Sequence, residues 1–299
     1  MTHIRKLDLN LLAQMHSQEV IARRRVLSRT LEGSWATMLK GRGMEFAGFR
    51  QYNYGDDASR IDWGASLRSK DTLIREFEEY KSVNVLFLID VGDTMCTTST
   101  RKLKCEHAAE LAFLLAAAIL DNGDNVGYAM MSTRIITRQN PGIGREILTK
   151  MAAGLSNPRN YGGKKDLLSV VALLDAMLKT PTLIILVSDF LSMGENWERG
   201  VRALGQKHDL IGIRILDPRD RTLPSGGSQF LVSDPETGET MLVDVPLVRA
   251  AYEAQTQTDE AYLLGVFRAS KAGLVNVPTD GDMLQPVLAY FHRRTAIIR

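Results

Sequence analysis

Asp90, Gly92 and Thr94 follow the most apolar strand-like run of the chain, Val83-Asn84-Val85-Leu86-Phe87-Leu88-Ile89, and are the residues best placed to do chemistry. Asp189 follows a second apolar run, Leu183-Ile184-Ile185-Leu186-Val187, and Asp217 follows a third, Leu210 to Leu216. Carboxylate and hydroxyl oxygens of this kind suit a hard cation such as Mg²⁺. They also suit a metal-assisted attack on a phosphoester, with Asp90 and Asp189 as the working pair. A polar edge that binds another protein uses the same groups without catalysis.

Which of these applies depends on the elements that hold them. A continuous apolar run indicates a strand covered on both faces, the usual state inside a parallel sheet. Leu103 to Leu120 is almost wholly apolar and predicts a helix packed on that strand. Val126 to Met131 and Arg134 to Arg138 predict two more strands around a Ser132-Thr133 turn. Ile143 to Leu155, Asp166 to Leu178 and Trp197 to Gln206 predict helices. Strands alternating with helices predict a doubly wound, mainly parallel α/β sheet with helices on both faces. Ligands of such sheets bind outside the carboxyl ends of the strands. Asp90, Asp189 and Asp217 therefore fall on one edge. The segments 1–80, 81–220 and 221–299 divide into an N-terminal helix and β segment, the core, and a C-terminal part. That last part is expected to hold a hairpin around Asp234 to Glu239, a long helix Val248 to Ser270, an edge strand Leu274 to Val277 and a closing helix Met283 to Arg294.

The N-terminal part carries helical spacing from Leu7 to Leu31 and a face of Arg23, Arg24, Arg25 and Arg29, read as solvated. Gly41-Arg42-Gly43 lacks the preceding strand and following Lys-Ser/Thr of a phosphate loop. Thr72 to Phe77 predicts a short strand leading to the core. Between them Arg50, Arg60 and Arg68 alternate with Asp56, Asp57 and Asp62, among Tyr52, Tyr54 and Trp63. One reading is a self-satisfied ion-pair network. The other is a docking surface anchored by aromatics, because Tyr, Trp and Arg dominate interface hot spots.

Composition narrows the classes. Hydrophobic residues are 44% and charged residues 24% of the 299, ordinary for a globular protein. Lys plus Arg is 37 against 35 for Asp plus Glu, which gives no electrostatic case for nucleic acid. No apolar stretch is long enough for direct membrane insertion and no signal peptide is evident, so a cytoplasmic location is expected. The two cysteines, Cys96 and Cys105, are expected as reduced thiols.

Several motifs carry a resemblance. Glu45-Phe46, Arg50-x-Tyr52, Gly55-Asp56-Asp57, Arg60-Ile61-Asp62-Trp63, the Asp90 strand, Lys102, Gly123-Asp124, Asp217-Pro218-Arg219 and Asp234-x-Glu236-Thr237-Gly238-Glu239 are similar to the bacterial family called domain of unknown function 58. That resemblance implies a core like the von Willebrand factor A domain. It also implies a partner, a MoxR-type AAA+ ATPase or its client, and an adaptor role in chaperone-like maturation or assembly. Von Willebrand A domains commonly hold Mg²⁺ through Asp-x-Ser-x-Ser with a distant Thr and Asp. Asp90, Thr94 and Asp189 match three of those positions. Gly92 replaces a Ser, and Gly162-Gly163 is followed by Lys164-Lys165 where the Thr belongs. The expectation is a degenerate metal site held by hydrogen bonds or a Lys–Asp pair; no cofactor is certain, and Mg²⁺ binding stays open.

Enzyme patterns fit poorly. A dehalogenase-type phosphatase needs Asp-x-Asp-x-Thr, whereas here Asp93 comes one place late. The Asp90–Lys102 loop has a single Gly, so a dinucleotide fingerprint is absent. No Gly-x-Ser-x-Gly elbow occurs. His107 is read as a satisfied core histidine and Cys96 as a small packing residue. The sequence reading is thus a non-enzymatic, protein-binding adaptor. Its candidate partner-binding residues are Arg50, Tyr52, Asp56, Asp57, Arg60, Asp62, Trp63 and Lys164, together with a sheet-top surface formed by Asp90 to Met95, Tyr161 to Lys165 and Asp189 to Met193. A metal-dependent phosphohydrolase using Asp90 and Asp189, and a structural subunit of a membrane-associated complex, are the alternatives.

Overall fold

The structure is a computed structural model that describes residues 18–35, 45–69, 71–78, 82–224 and 229–298, with Leu7, Leu9 and Leu11. In chain order the N-terminal elements are α1 (Gln18–Trp35), β1 (Glu45–Gln51), α2 (Trp63–Ser69) and β2 (Leu73–Glu78). The core contains β3 (Asn84–Asp90), α3 (Lys104–Asp121), β4 (Asn125–Met131), β5 (Ile135–Gly142), α4 (Arg145–Leu155), α5 (Leu167–Met177), β6 (Leu183–Ser188), α6 (Trp197–Lys207) and β7 (Asp209–Leu216). It is followed by β8 (Gln229–Ser233), β9 (Thr240–Asp244), α7 (Val245–Ala269), β10 (Gly273–Pro278) and α8 (Gln285–Ile298). Gly41-Arg42-Gly43 lies outside the described residues, as does part of the Leu7 to Leu31 span.

The central sheet has the order β10-β7-β6-β3-β4-β5, parallel except for β5, which runs antiparallel to β4. This is the doubly wound, mainly parallel α/β architecture with helices on both faces. The apolar runs follow from burial on both faces. Along β3, Val85, Phe87 and Ile89 enter a core with α3, α4 and α8. Leu86 and Leu88 enter a second core with α5, α6 and α7. The reversal at β4–β5 follows from the short Ser132-Thr133-Arg134 connection, too short for the crossover a parallel pair requires.

Leu27 of α1 is buried against the α3 layer. Arg24 of the supposedly solvated Arg face pairs with Asp121 at the end of α3. The expected strand at Thr72 to Phe77 is β2. It pairs antiparallel with β1 in a separate two-stranded sheet, since every β3 edge is already taken by β4 and β6. β8 and β9 form the expected hairpin. The two thiols are free and buried.

Candidate functional site

β3 ends at Asp90, and a 3₁₀ turn, Asp93–Cys96, folds the chain back so that Thr94 faces the same pocket. The loop after α4 is stitched onto this turn. Gly162 N–H donates to the Val91 carbonyl (2.7 Å), Asp93 N–H to the Gly163 carbonyl (3.0 Å), and Gly163 N–H to Asp93 Oδ1 (2.9 Å). Gly162 and Gly163 have φ of 102° and 92°, which only glycine adopts readily. That double turn leaves Lys164 exposed and aims Lys165 inward.

Lys165 Nζ donates to Thr94 Oγ1 (2.7 Å), Asp189 Oδ1 (2.8 Å) and Asp90 Oδ2 (3.0 Å). An ammonium has three N–H donors, and all three are used. Asp189 is gripped a second time, by Lys104 Nζ at 2.8 Å, and Lys104 also reaches Asp220 at 3.2 Å. Ser188 Oγ donates to Asp90 Oδ2 (2.5 Å) and Gly92 N–H to Asp90 Oδ1 (2.8 Å). The side chains of Lys165, Asp90 and Asp189 are wholly inaccessible. At Phe190 the backbone takes φ 57°, and the Leu191 N–H reaches Asp189 Oδ1 at 3.0 Å. The Phe190 ring is held edge-on against Phe267, with centroids 5.2 Å apart.

Burial alone pulls the Lys165 and Lys104 pKa values down, but the carboxylates around each ammonium outweigh it and hold both above the ordinary lysine value. Burial would raise Asp189, yet the two lysines keep it below the usual carboxylate range. Burial pushes Asp90 up, with Lys165 opposing and the Asp189 charge adding. The pocket is a closed ion network.

The residues do not fit Mg²⁺. That ion wants an octahedron of oxygens at about 2.0–2.1 Å. Here a cationic nitrogen sits at hydrogen-bond distance from Asp90, Thr94 and Asp189. The two departures from the metal motif are one structural change. A Cβ on Gly92 would lie 2.4 Å from Lys165 Cγ and 2.6 Å from its Cδ. The lysine stem therefore fills the space a Ser at position 92 would need. The alternative of Lys–Asp pairing, left open by the sequence, is the one observed, with Lys165 as the cation.

Three carboxylates do meet at the sheet top, but Asp217 belongs to a different task. It accepts from Thr98 Oγ1 (2.9 Å) and Ser99 N–H (2.7 Å), anchoring the loop that enters α3. Asp90 to Met95 are buried, which corrects the expectation that they present a binding surface. Lys164 and Ser192 are what the sheet top exposes of the expected residues, with Gly163. His107 is buried, but its Nδ1 has no hydrogen-bond partner among the described residues, which departs from the satisfied histidine expected. Lys104 was missed because Leu103 to Leu120 looked like an apolar helix. The signal available was a Lys-Cys-Glu-His first turn on an otherwise apolar stretch.

In the N-terminal motif Arg50 clamps Asp56 through two hydrogen bonds of 2.7 and 2.8 Å. Arg60 lies 3.8 Å from Asp57. Asp62 pairs with Arg75 at 3.0 Å, not with Arg68, whose Nε donates to the Gly64 carbonyl. The Arg50 clamp and the Asn53 N–H hold Asp56 down at about 2. The segment combines the ion pairs of the first reading with exposed apolar side chains. The carboxylates satisfy their neighbours, while Tyr54 is fully exposed, Trp63 is 67% exposed and Leu67 84% exposed; Tyr52 is half-buried.

The chain matches the model of the family described as "Protein of unknown function DUF58" over residues 48–262. It belongs to that family. Among its relatives are uncharacterized proteins of Mycobacterium bovis and Mycobacterium tuberculosis, each 26% identical over 298 residues, covering 96% of this chain and 90% of theirs. Solved structures similar to it include the conserved hypothetical protein BatB from Bacteroides thetaiotaomicron, with TM-score 0.46, 14% identity, and coverage of 73% of this chain and 98% of that one. Another is an aerotolerance-related membrane protein from Bacteroides fragilis, with TM-score 0.45, 13% identity, and coverage of 72% and 100%. No helix among the described residues is long and apolar enough to cross a membrane.

Proposed function

We propose that the protein is a non-enzymatic adaptor that binds another protein through the Arg50–Trp63 segment, working with a MoxR-type AAA+ ATPase in maturation or assembly of a client. The partner's identity rests on the family resemblance. The observation that carries the binding role is the pairing of satisfied charges with unsupported aromatics. Tyr54, Trp63 and Leu67 stand in solvent on a frame locked by Arg50–Asp56 and Asp62–Arg75. Large exposed side chains on a rigid frame suit hot-spot anchors, which cost little ordering entropy on binding. Supporting the non-enzymatic part, Asp90 and Asp189 are sealed behind Lys165, out of reach of a phosphoester.

The test is capture of the AAA+ ATPase by wild type and by Tyr54→Ala/Trp63→Ala, each with Mg²⁺ and with EDTA. The proposal expects retention by wild type under both conditions and loss in the variant, with an unchanged melting temperature. Equal retention by the variant would overturn it. Turnover of a generic phosphoester that Asp90→Asn abolishes would favour the phosphohydrolase instead.

A further inference from the structure

The segment 134–145 carries Arg134, Arg138 and Arg145 and no acidic residue, whereas 229–244 carries Asp234, Glu236, Glu239 and Asp244 and no basic one. Each coincides with an exposed apolar surface bearing an unpaired strand edge. On the first, β5 closes the central sheet and pairs only with β4 among the described strands. Between it and α5 lies a groove of about 460 Å³ walled by Ile135, Leu173, Ala176 and Met177 and flanked by Arg134 and Arg138. The Arg138 guanidinium rests on the Met177 sulfur rather than on a carboxylate.

The second surface is the β8–β9 hairpin. It pairs with no other strand among the described residues, and all of β8 is exposed. Its register places Phe230, Val232, Met241 and Val243 on one face and Leu231 and Leu242 on the other. Leu231, Met241 and Leu242 are 71%, 67% and 61% exposed. A two-stranded hairpin is marginal in water unless something covers a face or extends the sheet. The helix that it feeds, α7, packs against β10 at the opposite margin of the sheet from β5.

We propose that the hairpin of one copy adds to the β5 edge of a second copy, apolar side chains entering the groove and Glu236 and Glu239 facing Arg134 and Arg138. Strand addition supplies main-chain hydrogen bonds, and the groove and charges set the register. The lengths agree. Pro141 removes a donor from β5, leaving Ile135 to Asn140 to pair, against five residues in each hairpin strand. Among the described residues, none of these two glutamates and two arginines forms an ion pair. Because the two surfaces differ, a single contact is head-to-tail and leaves one hairpin and one β5 edge free to bind again.

The experiment is sedimentation velocity of the full chain up to about 1 mM, at low and high salt, for wild type, Arg134→Glu/Arg138→Glu, Glu236→Lys/Glu239→Lys, and all four substitutions together. Wild type is expected to associate with rising concentration, more at low salt. Each reversed pair weakens association about tenfold or more, and the fourfold exchange restores it. Melting curves confirm that each variant is folded; any variant that is not is replaced by its Gln counterpart. A monomeric wild type throughout, indifference to either reversal, or failure of the exchange to restore association overturns the proposal.

Discussion

Replacing Lys165 by Met keeps the stem and removes the ammonium from between two inaccessible carboxylates. Three charge-assisted hydrogen bonds are lost, each worth about 1.5–3 kcal/mol in favourable settings. The loss is not their sum. Asp189 keeps Lys104, and Asp90 keeps its bonds from Ser188 and Gly92. What remains is the cost of an uncompensated buried carboxylate at Asp90, about 3–5 kcal/mol. With unfolding entropy near 2.1 cal/mol/K per residue, a chain of 299 residues then melts about 5–8 °C lower. The sign of the pH dependence follows. Burial already raises Asp90, and loss of the opposing Lys165 raises it further. The folded variant binds that proton more tightly than the unfolded chain, so its deficit is greatest near neutrality and closes as the pH falls toward about 4. Adding Asp90→Asn removes the stranded charge and recovers about 2 kcal/mol or more. Urea unfolding of the two single variants and the double variant, at neutral and acid pH, measures all of this. A Lys165→Met cost under about 1 kcal/mol, or no coupling to Asp90→Asn, would refute the reasoning.

Gly92→Ser drives a side chain into the Lys165 stem and costs about 1–3 kcal/mol, whereas combined with Lys165→Thr most of that is regained. Chemical denaturation that finds Gly92→Ser alone neutral would contradict the shared-space argument. Burial depresses the pKa of His107 and of His208 below the usual 6.5. The unfolded chain then takes up these protons at higher pH than the folded one, so stability present above about pH 6.5 is lost as the pH falls below it. Protonation also removes the His208 Nδ1 acceptor used by the Thr182 N–H. Unfolding free energies at pH 7.5 and 5.5 check this, and a flat profile argues against it.

The sheet was legible because its strands are buried on both faces, so Val83 to Ile89, Leu183 to Val187 and Leu210 to Leu216 stood out as apolar runs ending in Asp. Strand β2 was legible as a strand, but not as β1's partner, because pairing depends on which edges remain free. At the site, the family resemblance pointed to Asp90, Thr94 and Asp189 and to a lysine near Asp90. It did not identify which lysine. That choice depends on two positive φ angles at Gly162 and Gly163, which turn Lys165 in and Lys164 out. Lys104 was hidden because a helix periodicity cannot show that one residue of its polar first turn meets a strand end 85 positions later. Asp62 found Arg75 rather than Arg68 because β2 brings Arg75 alongside, which charge alternation along the chain does not encode.

The claim that Lys165 stands where the related motif would hold a cation is tested most directly by calorimetric titration of Mg²⁺ into wild type and into Gly92→Ser/Lys165→Thr. No binding heat with wild type, and Mg²⁺ binding by the double variant that Asp90→Asn then removes, is the predicted result. Mg²⁺ binding by wild type that depends on Asp90 would contradict it.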